Sequence, residues 1–176
     1  MQILAPAPDP GARPVRNPSL PLPPRLLAAL AIKHAGIAGF EAIAEPLPGE
    51  RSSARVLCSE THDIWLIRWG AGSRTELHDH GDSAGALYVV SGELVEHRPN
   101  PAGRGRPLRR VLRALDDRPM APSHVHEVAN ESDTVGTSVH VYSPPLATMH
   151  HFDLTHDSEL RMIRREVIDT PGSAFE

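Results

Sequence analysis

Between Arg51 and Tyr142 the apolar residues come only in short runs, each closed by a turn signal. The runs are Arg55–Cys58, Ile64–Trp69, Ala86–Val90, Glu93–His97, Val111–Leu115, Val125–Val128 and Val135–Tyr142. Between them stand Gly70-Ala71-Gly72, Ser91-Gly92, Pro99-Asn100-Pro101-Ala102-Gly103 and Asn130-Glu131-Ser132-Asp133. Runs of this length cannot form long helices. At this spacing they predict a mainly β chain, an antiparallel sandwich or small barrel. No Gly-x-Gly-x-x-Gly and no Gly-Lys-Ser/Thr appears, so neither a dinucleotide fold nor a P-loop is expected.

The flanks read differently. Residues 1–24 carry Pro6, Pro8, Pro10, Pro14, Pro18, Pro21, Pro23 and Pro24, and without those N–H groups neither helix nor sheet runs. An extended arm is expected there. Residues 25–50 predict two short helices packed on the barrel. The first covers Arg25–Ala35, with Leu26, Leu27, Leu30 and Ile32 near helical spacing, prolines to open it and Gly36 to close it. The second covers Gly39–Ala44. The barrel itself should span 51–155. Residues 156–176 read as a charged tail, with a helix over Ser158–Ile168.

Several function classes are excluded by composition. The chain is 40% hydrophobic and 23% charged, enough for a real core. Its net charge of −4, with no basic cluster interleaved with aromatics, argues against nucleic acid as a partner. Lys33 is the only lysine, and no apolar run approaches the roughly 18 residues of a membrane span, so no membrane partner is expected. Met1–Pro10 lacks a basic start and an apolar stretch, so it does not read as a signal peptide. The single Cys58 rules out a disulfide framework and fits a reducing cytoplasm.

The chain has eleven histidines, and their placement carries the chemistry. In Gly72-Ser73-Arg74-Thr75-Glu76-Leu77-His78-Asp79-His80 the two closing imidazoles sit at i and i+2. On a strand these share a face and can grip one metal ion. A third histidine, His126, opens His126-Glu127-Val128-Ala129-Asn130. Ser138, His140 and Tyr142 occupy alternate positions of one expected strand and so face one side. Three polar groups on one buried face are costly unless they serve a purpose.

These residues carry a resemblance. Gly72-x5-His78-x-His80, with Gly85 and Gly92 behind it, and His126-x3-Asn130 resemble the two motifs of the cupin superfamily, double-stranded β-helix barrels. Gly85 stands where that first motif has a glutamate ligand. The second motif's Pro-x-Gly is missing, for Pro122 lies one residue too near. More narrowly, Trp69-Gly70-x-Gly72, His78-Asp79-His80, Ser83 and Ser138-Val139-His140-Val141-Tyr142-Ser143-Pro144-Pro145-Leu146 resemble the type I cysteine dioxygenases. The resemblance implies a cupin fold and one Fe(II) per chain, held by His78, His80 and His126. It implies a relay of Ser138, His140 and Tyr142, and addition of both atoms of O2 to the cysteine thiolate, giving cysteine sulfinic acid. Thiol and O2 would be the partners of a monomer or small homo-oligomer. The Pro-Pro turn suggests a cis Ser143–Pro144 peptide.

A three-histidine site suits a thiol. Many iron oxygenases use two histidines and one carboxylate, leaving open positions. Three neutral imidazoles leave the full charge on the ion, which favours an anionic ligand, and a coordinated thiol is deprotonated. The substrate carboxylate then needs a cation. By resemblance this is Arg55, in Ser53-Ala54-Arg55, where the family has Tyr-x-Arg; Arg68 is the second candidate. Dioxygenases of 3-mercaptopropionate carry an arginine shortly after the tyrosine, where this chain has Met149-His150-His151, so an amino-acid thiol is expected. The animal enzymes join the tyrosine to a cysteine at the position of Gly85; here that crosslink should be absent. The competing readings are the same chemistry on another small carboxylated thiol such as 3-mercaptopropionate, a metal cupin using Mn or Zn, and a ligand-binding cupin without catalysis.

Overall fold

The computed structural model describes residues 20–37, 39–100, 106–155 and 159–168; most of the expected N-terminal arm lies outside them. In chain order the elements are helix α1 (Pro24–Ala35), a 3-10 turn (Phe40–Ala42), and strands β1 (Arg51–Cys58), β2 (Asp63–Trp69), β3 (Ala84–Ser91), β4 (Glu93–Arg98), β5 (Leu108–Arg113), β6 (Asp117–Met120), β7 (Glu127–Ala129), β8 (Gly136–Ser143), β9 (Thr148–Leu154) and β10 (Leu160–Val167). A five-stranded sheet runs β1-β2-β8-β3-β6, a three-stranded sheet β5-β4-β7, and β9 pairs with β10. Every pairing is antiparallel.

The middle of the large sheet is buried on both faces, and strand periodicity explains how. Along β3, Ala84, Ala86 and Tyr88 face α1, while Leu87 and Val89 face the barrel interior. Along β8, Val139 and Val141 face α1, leaving Ser138, His140 and Tyr142 to the interior. The helix therefore acts as a cover for the outer face: Leu27, Ala28 and Ala31 pack on Ile64, Leu66 and Val139. Full burial of Leu27 contributes roughly 1.5–3 kcal/mol. Pro24 in the first turn opens the helix, and Lys33 and His34 complement its C-terminal dipole.

The chain crosses from β3 in the large sheet to β4 in the three-stranded sheet at Gly92, whose φ is +77°. A Cβ there would lie 2.9 Å from the Gly136 Cα, so the close approach of β8's start requires glycine.

The expected strands are present, and three more join them. Asp117–Met120 pairs with β3 despite Pro119, on the sheet's edge, where a missing N–H is tolerated. Thr148–Leu154 forms β9. The expected helix over Ser158–Ile168 is corrected: residues 160–167 form β10, paired from Leu160 opposite Leu154 to Val167 opposite Thr148 with a register shift between Met162 and Arg164. Its run Leu160-Arg161-Met162-Ile163-Arg164-Arg165-Glu166 carries good helix formers, but hydrogen bonding to the β9 edge overrides local propensity. The second expected helix, Gly39–Ala44, shrinks to the 3-10 turn. Ser143–Pro144 is cis.

Candidate metal centre

The loop between β2 and β3 carries His78 and His80, and backbone bonds position it. His78 N–H donates to the His126 carbonyl and His126 N–H to the His78 carbonyl, both at 2.9 Å. This two-way exchange sets the two histidines side by side although they are far apart in sequence. Asp79, between the ligands, pins the loop to β9: its Oδ1 accepts from His150 N–H at 3.1 Å and from His150 Nδ1 at 2.9 Å. At the far end Asn130 Nδ2 donates to the carbonyls of Trp69, Gly70 and Thr134.

His78, His80 and His126 each turn a ring nitrogen toward one point, all three within 4.8 Å of one another. Ring centroids lie 4.9 to 5.1 Å apart. His78 Nδ1 donates to the Glu76 carbonyl at 2.8 Å, and His126 Nδ1 donates to Glu96 Oε1 at 3.1 Å. Each therefore keeps Nε2 as its lone-pair nitrogen. His80 Nε2 is buried and has no hydrogen-bond partner among the described residues. Burial, then the neighbouring imidazoles, holds His78 and His80 well below the ordinary histidine value. Burial lowers His126 as well, against the opposing pull of Glu96. Three buried, neutral imidazoles with converging lone pairs and one orphaned nitrogen fit a divalent transition metal, for which imidazole is a suitable ligand.

Beside them runs a second chain of polar groups. Trp69 Nε1 donates to Ser138 Oγ at 2.8 Å, Ser138 Oγ lies 3.0 Å from His140 Nε2, and His140 Nδ1 lies 3.1 Å from the Tyr142 oxygen. Burial, followed by the charges of His126 and Arg51, lowers His140 to about 3. Burial, reinforced by Asp63, pushes the Tyr142 phenol up, so it stays protonated at neutral pH. The Tyr142 ring stands 4.7 Å from that of His80. Gly85 backs this ring: a Cβ there would lie 3.2 Å from Tyr142 Cε1.

These groups open on a cavity of about 480 Å³, which His78, His126, His140 and Tyr142 line. From β1 the lining residues are Arg51 and Ser53. Arg55 shares their face of the strand but is not itself part of the lining. Its guanidinium lies over the Trp65 ring at 4.5 Å, with Nε 3.7 Å from Asp63 Oδ2. Arg68 turns away from the cavity, because alternation along β2 sends Trp65, Ile67 and Trp69 inward. It bonds the Ile43 carbonyl at 3.0 Å and Glu45 at 3.1 Å. Three arginines line the cavity. Arg74 pairs with Glu127, and Arg164 with Glu76 and Glu166. Arg51 lies over the Trp69 ring at 5.4 Å and makes no ion pair among the described residues, although the charges of Glu166 and Glu76 act on it.

The sequence reading missed Arg51, which lines the cavity from β1, and three further contributors. Arg164 and Glu166 reach the cavity from β10, which forms only because residues 160–167 return to β9. Glu96 was legible in principle: on β4 it falls at the same parity as the buried Leu94, a charged residue on an apolar face. Burial works against its charge, but hydrogen bonds from His124 and His126 and the charge of Arg118 hold it well below the usual carboxylate range. His124 therefore points at Glu96, 2.7 Å away, and not at the converging trio.

Residues 48–155 match the family model described as cysteine dioxygenase type I. Cysteine dioxygenase type 1 of Rattus norvegicus is 31% identical over 99 residues, 52% of this chain and 49% of that protein. The Homo sapiens protein is 33% identical over 98 residues, with the same shares. The match thus spans about half the length of these curated relatives. Among solved structures, a Klebsiella pneumoniae protein with a double-stranded β-helix domain superposes with a TM-score of 0.53 at 19% identity, covering 72% of this chain and 96% of that one. A Thermus thermophilus protein gives 0.51 at 20% identity, covering 61% and 96%. These two likenesses establish the double-stranded β-helix fold.

Proposed function

This chain belongs to the cysteine dioxygenase type I family, and from that premise we propose that it is an iron(II)-dependent thiol dioxygenase, oxidising L-cysteine with O2 to cysteine sulfinic acid. The observation that carries the reading is the convergence of His78, His80 and His126 beside Tyr142, with His78, His126 and Tyr142 lining one cavity. In the reaction the sulfur gives up four electrons, O2 takes up four, and both oxygen atoms end on sulfur.

The three histidines hold the metal through neutral nitrogens and leave its charge uncompensated. When bound, iron(II) supplies a Lewis acid that favours the thiolate and a redox centre for O2. The cavity's own groups do the rest. Ser138 and His140 orient the Tyr142 phenol, which keeps its proton and donates a hydrogen bond toward the reacting sulfur. His140, neutral down to about pH 3, holds no charge that would repel the ion. Trp65, Ile67 and Trp69 make the inner wall apolar and limit water.

The substrate carboxylate goes to Arg51 in this reading. Arg55, the expected clamp, is engaged by Asp63 and Trp65, and would have to release Asp63 to serve. Arg51 already lines the cavity and makes no ion pair among the described residues. The exposed single cysteine fits a reducing compartment, the cytoplasm, and a monomer or small homo-oligomer suffices for a cavity built from one chain.

The test uses iron-loaded full-length protein with cysteine, cysteamine and 3-mercaptopropionate, measuring O2 uptake and product mass. Cysteine should gain two oxygen atoms and give the highest kcat/KM. Arg51→Gln should lower kcat/KM for cysteine about 10–100-fold, mostly through KM, the loss of a charged hydrogen bond of roughly 1.5–3 kcal/mol. Arg55→Gln should cost less. No turnover of any thiol would sink the dioxygenase reading; a best rate on 3-mercaptopropionate would move the substrate but keep the chemistry.

A further inference from the structure

One buried carboxylate stands directly behind the proposed metal site, outside the cavity. Glu96 on β4 is 1% exposed. Its Oε2 accepts from Arg118 Nε at 2.6 Å, and its Oε1 from His124 Nε2 at 2.7 Å and His126 Nδ1 at 3.1 Å. An ion this deep is costly unless every lone pair is used. Here β6 supplies one donor and the segment leading into β7 supplies two, which is a large structural commitment for one side chain. Of the three, only His126 also faces the converging imidazoles.

We propose that Glu96 is a positioning residue of the metal centre: it holds His126 in the Nδ1–H tautomer and places negative charge one imidazole away from the ion. The inference rests on the reading of His78, His80 and His126 as a metal site. A carboxylate hydrogen-bonded to a ligating histidine fixes ring orientation and raises the basicity of the ligating nitrogen. A site without a carboxylate ligand thus regains part of that charge at one remove. Arg118 and His124 fix the carboxylate, so that it cannot swing into the cavity and ligate directly. The same three groups exclude a rival use of the cluster. Glu96, His124 and His126 also approach within metal-binding distance of one another, but the Arg118 guanidinium against Oε2 repels a second cation there.

Cobalt(II) is the probe, titrated into chelator-stripped full-length protein and followed by its visible absorption. The wild-type chain should bind one Co(II), and Glu96→Gln, which preserves shape but not charge, should bind one Co(II) 10–100-fold more weakly. Thermal melts of the metal-free proteins separate this from a fold defect. A lowered Tm with unchanged Co(II) affinity would mean a purely structural role and overturn the inference. Two Co(II) per wild-type chain would overturn it as well. Nitrogen-15 histidine NMR of the zinc-loaded wild type gives a second readout that needs no variant. His126 should show a protonated Nδ1, and a protonated Nε2 refutes the proposal. If the wild type binds no Co(II), the metal reading itself fails; if it binds tightly and Glu96→Gln does too, only the role of Glu96 fails.

Discussion

Gly85 shows how much a single missing side chain decides. Its backbone runs alongside the Tyr142 ring, and an added Cβ would sit 3.1 Å from Cδ1 and 3.2 Å from Cε1. A side chain at this position would thus stand against the phenol, and glycine supplies none. The intact protein should show its plain sequence mass, without loss of two hydrogens. Gly85→Cys should place a thiol against the ring, and iron-loaded, aerated Gly85→Cys should lose two hydrogens in a peptide joining residues 85 and 142. A Tyr142–Cys58 peptide from the wild type would contradict this. The same scale separates the arginines. Arg51 and Arg55 are two positions on one strand face with the same chemistry, and only the position of Asp63 and Trp65 distinguishes them.

Strand β8 is the element on which the molecule turns. Its odd residues Val139 and Val141 seal the helix-covered face, and its even residues Ser138, His140 and Tyr142 furnish the site, so a slip of one residue would exchange core for chemistry. Its register depends on the turn before it, where Asn130 holds three carbonyls from two segments and accepts from Ser132 N–H at 3.0 Å. Asn130→Ala removes the amide donor from the carbonyls of Trp69, Gly70 and Thr134, of which Gly70 keeps the Ser73 N–H and Thr134 the Ser132 hydroxyl, and it takes away the acceptor of Ser132 N–H. It should destabilise the protein by at least about 1–3 kcal/mol, read as a lower denaturation midpoint in urea. An unchanged midpoint would show that water or a neighbour replaces the amide. Asn130 and the strand pattern were both legible in the sequence, the first through its spacing from His126, the second through alternation. Strand β10 was not. Nothing local distinguishes its run of Leu, Arg, Met and Glu from a helix, and it becomes a strand because β9 offers an unpaired edge.

At the scale of the whole molecule, the barrel stores several histidines in their neutral form. His140 is held at about 3 against an ordinary 6.5, and His78, His80 and His126 are lowered in the same direction. Between pH 6.5 and about 3 the unfolded chain binds the His140 proton and the metal-free fold does not, and burial moves the other three histidines in the same direction. The stability they contribute is fully present above 6.5 and is lost as pH falls. Each such histidine adds a slope of up to about 1.4 kcal/mol per pH unit. Melts of the metal-free protein should show Tm falling steeply from pH 7 to pH 5, and His140→Gln should flatten the slope; a level profile would refute neutral burial. The sequence by itself determined the short-strand architecture, the pairing of His78 with His80 and the polar face of β8. These follow from spacing along one chain, and periodicity reports which residues share a face. Only the tertiary structure decided that Glu96 stands behind the trio and takes His124, that Arg51 rather than Arg55 lines the cavity, and that residues 160–167 return as β10. Each of those depends on contacts between segments distant in sequence, where the outcome is set by which buried group finds a partner and not by what either segment prefers alone.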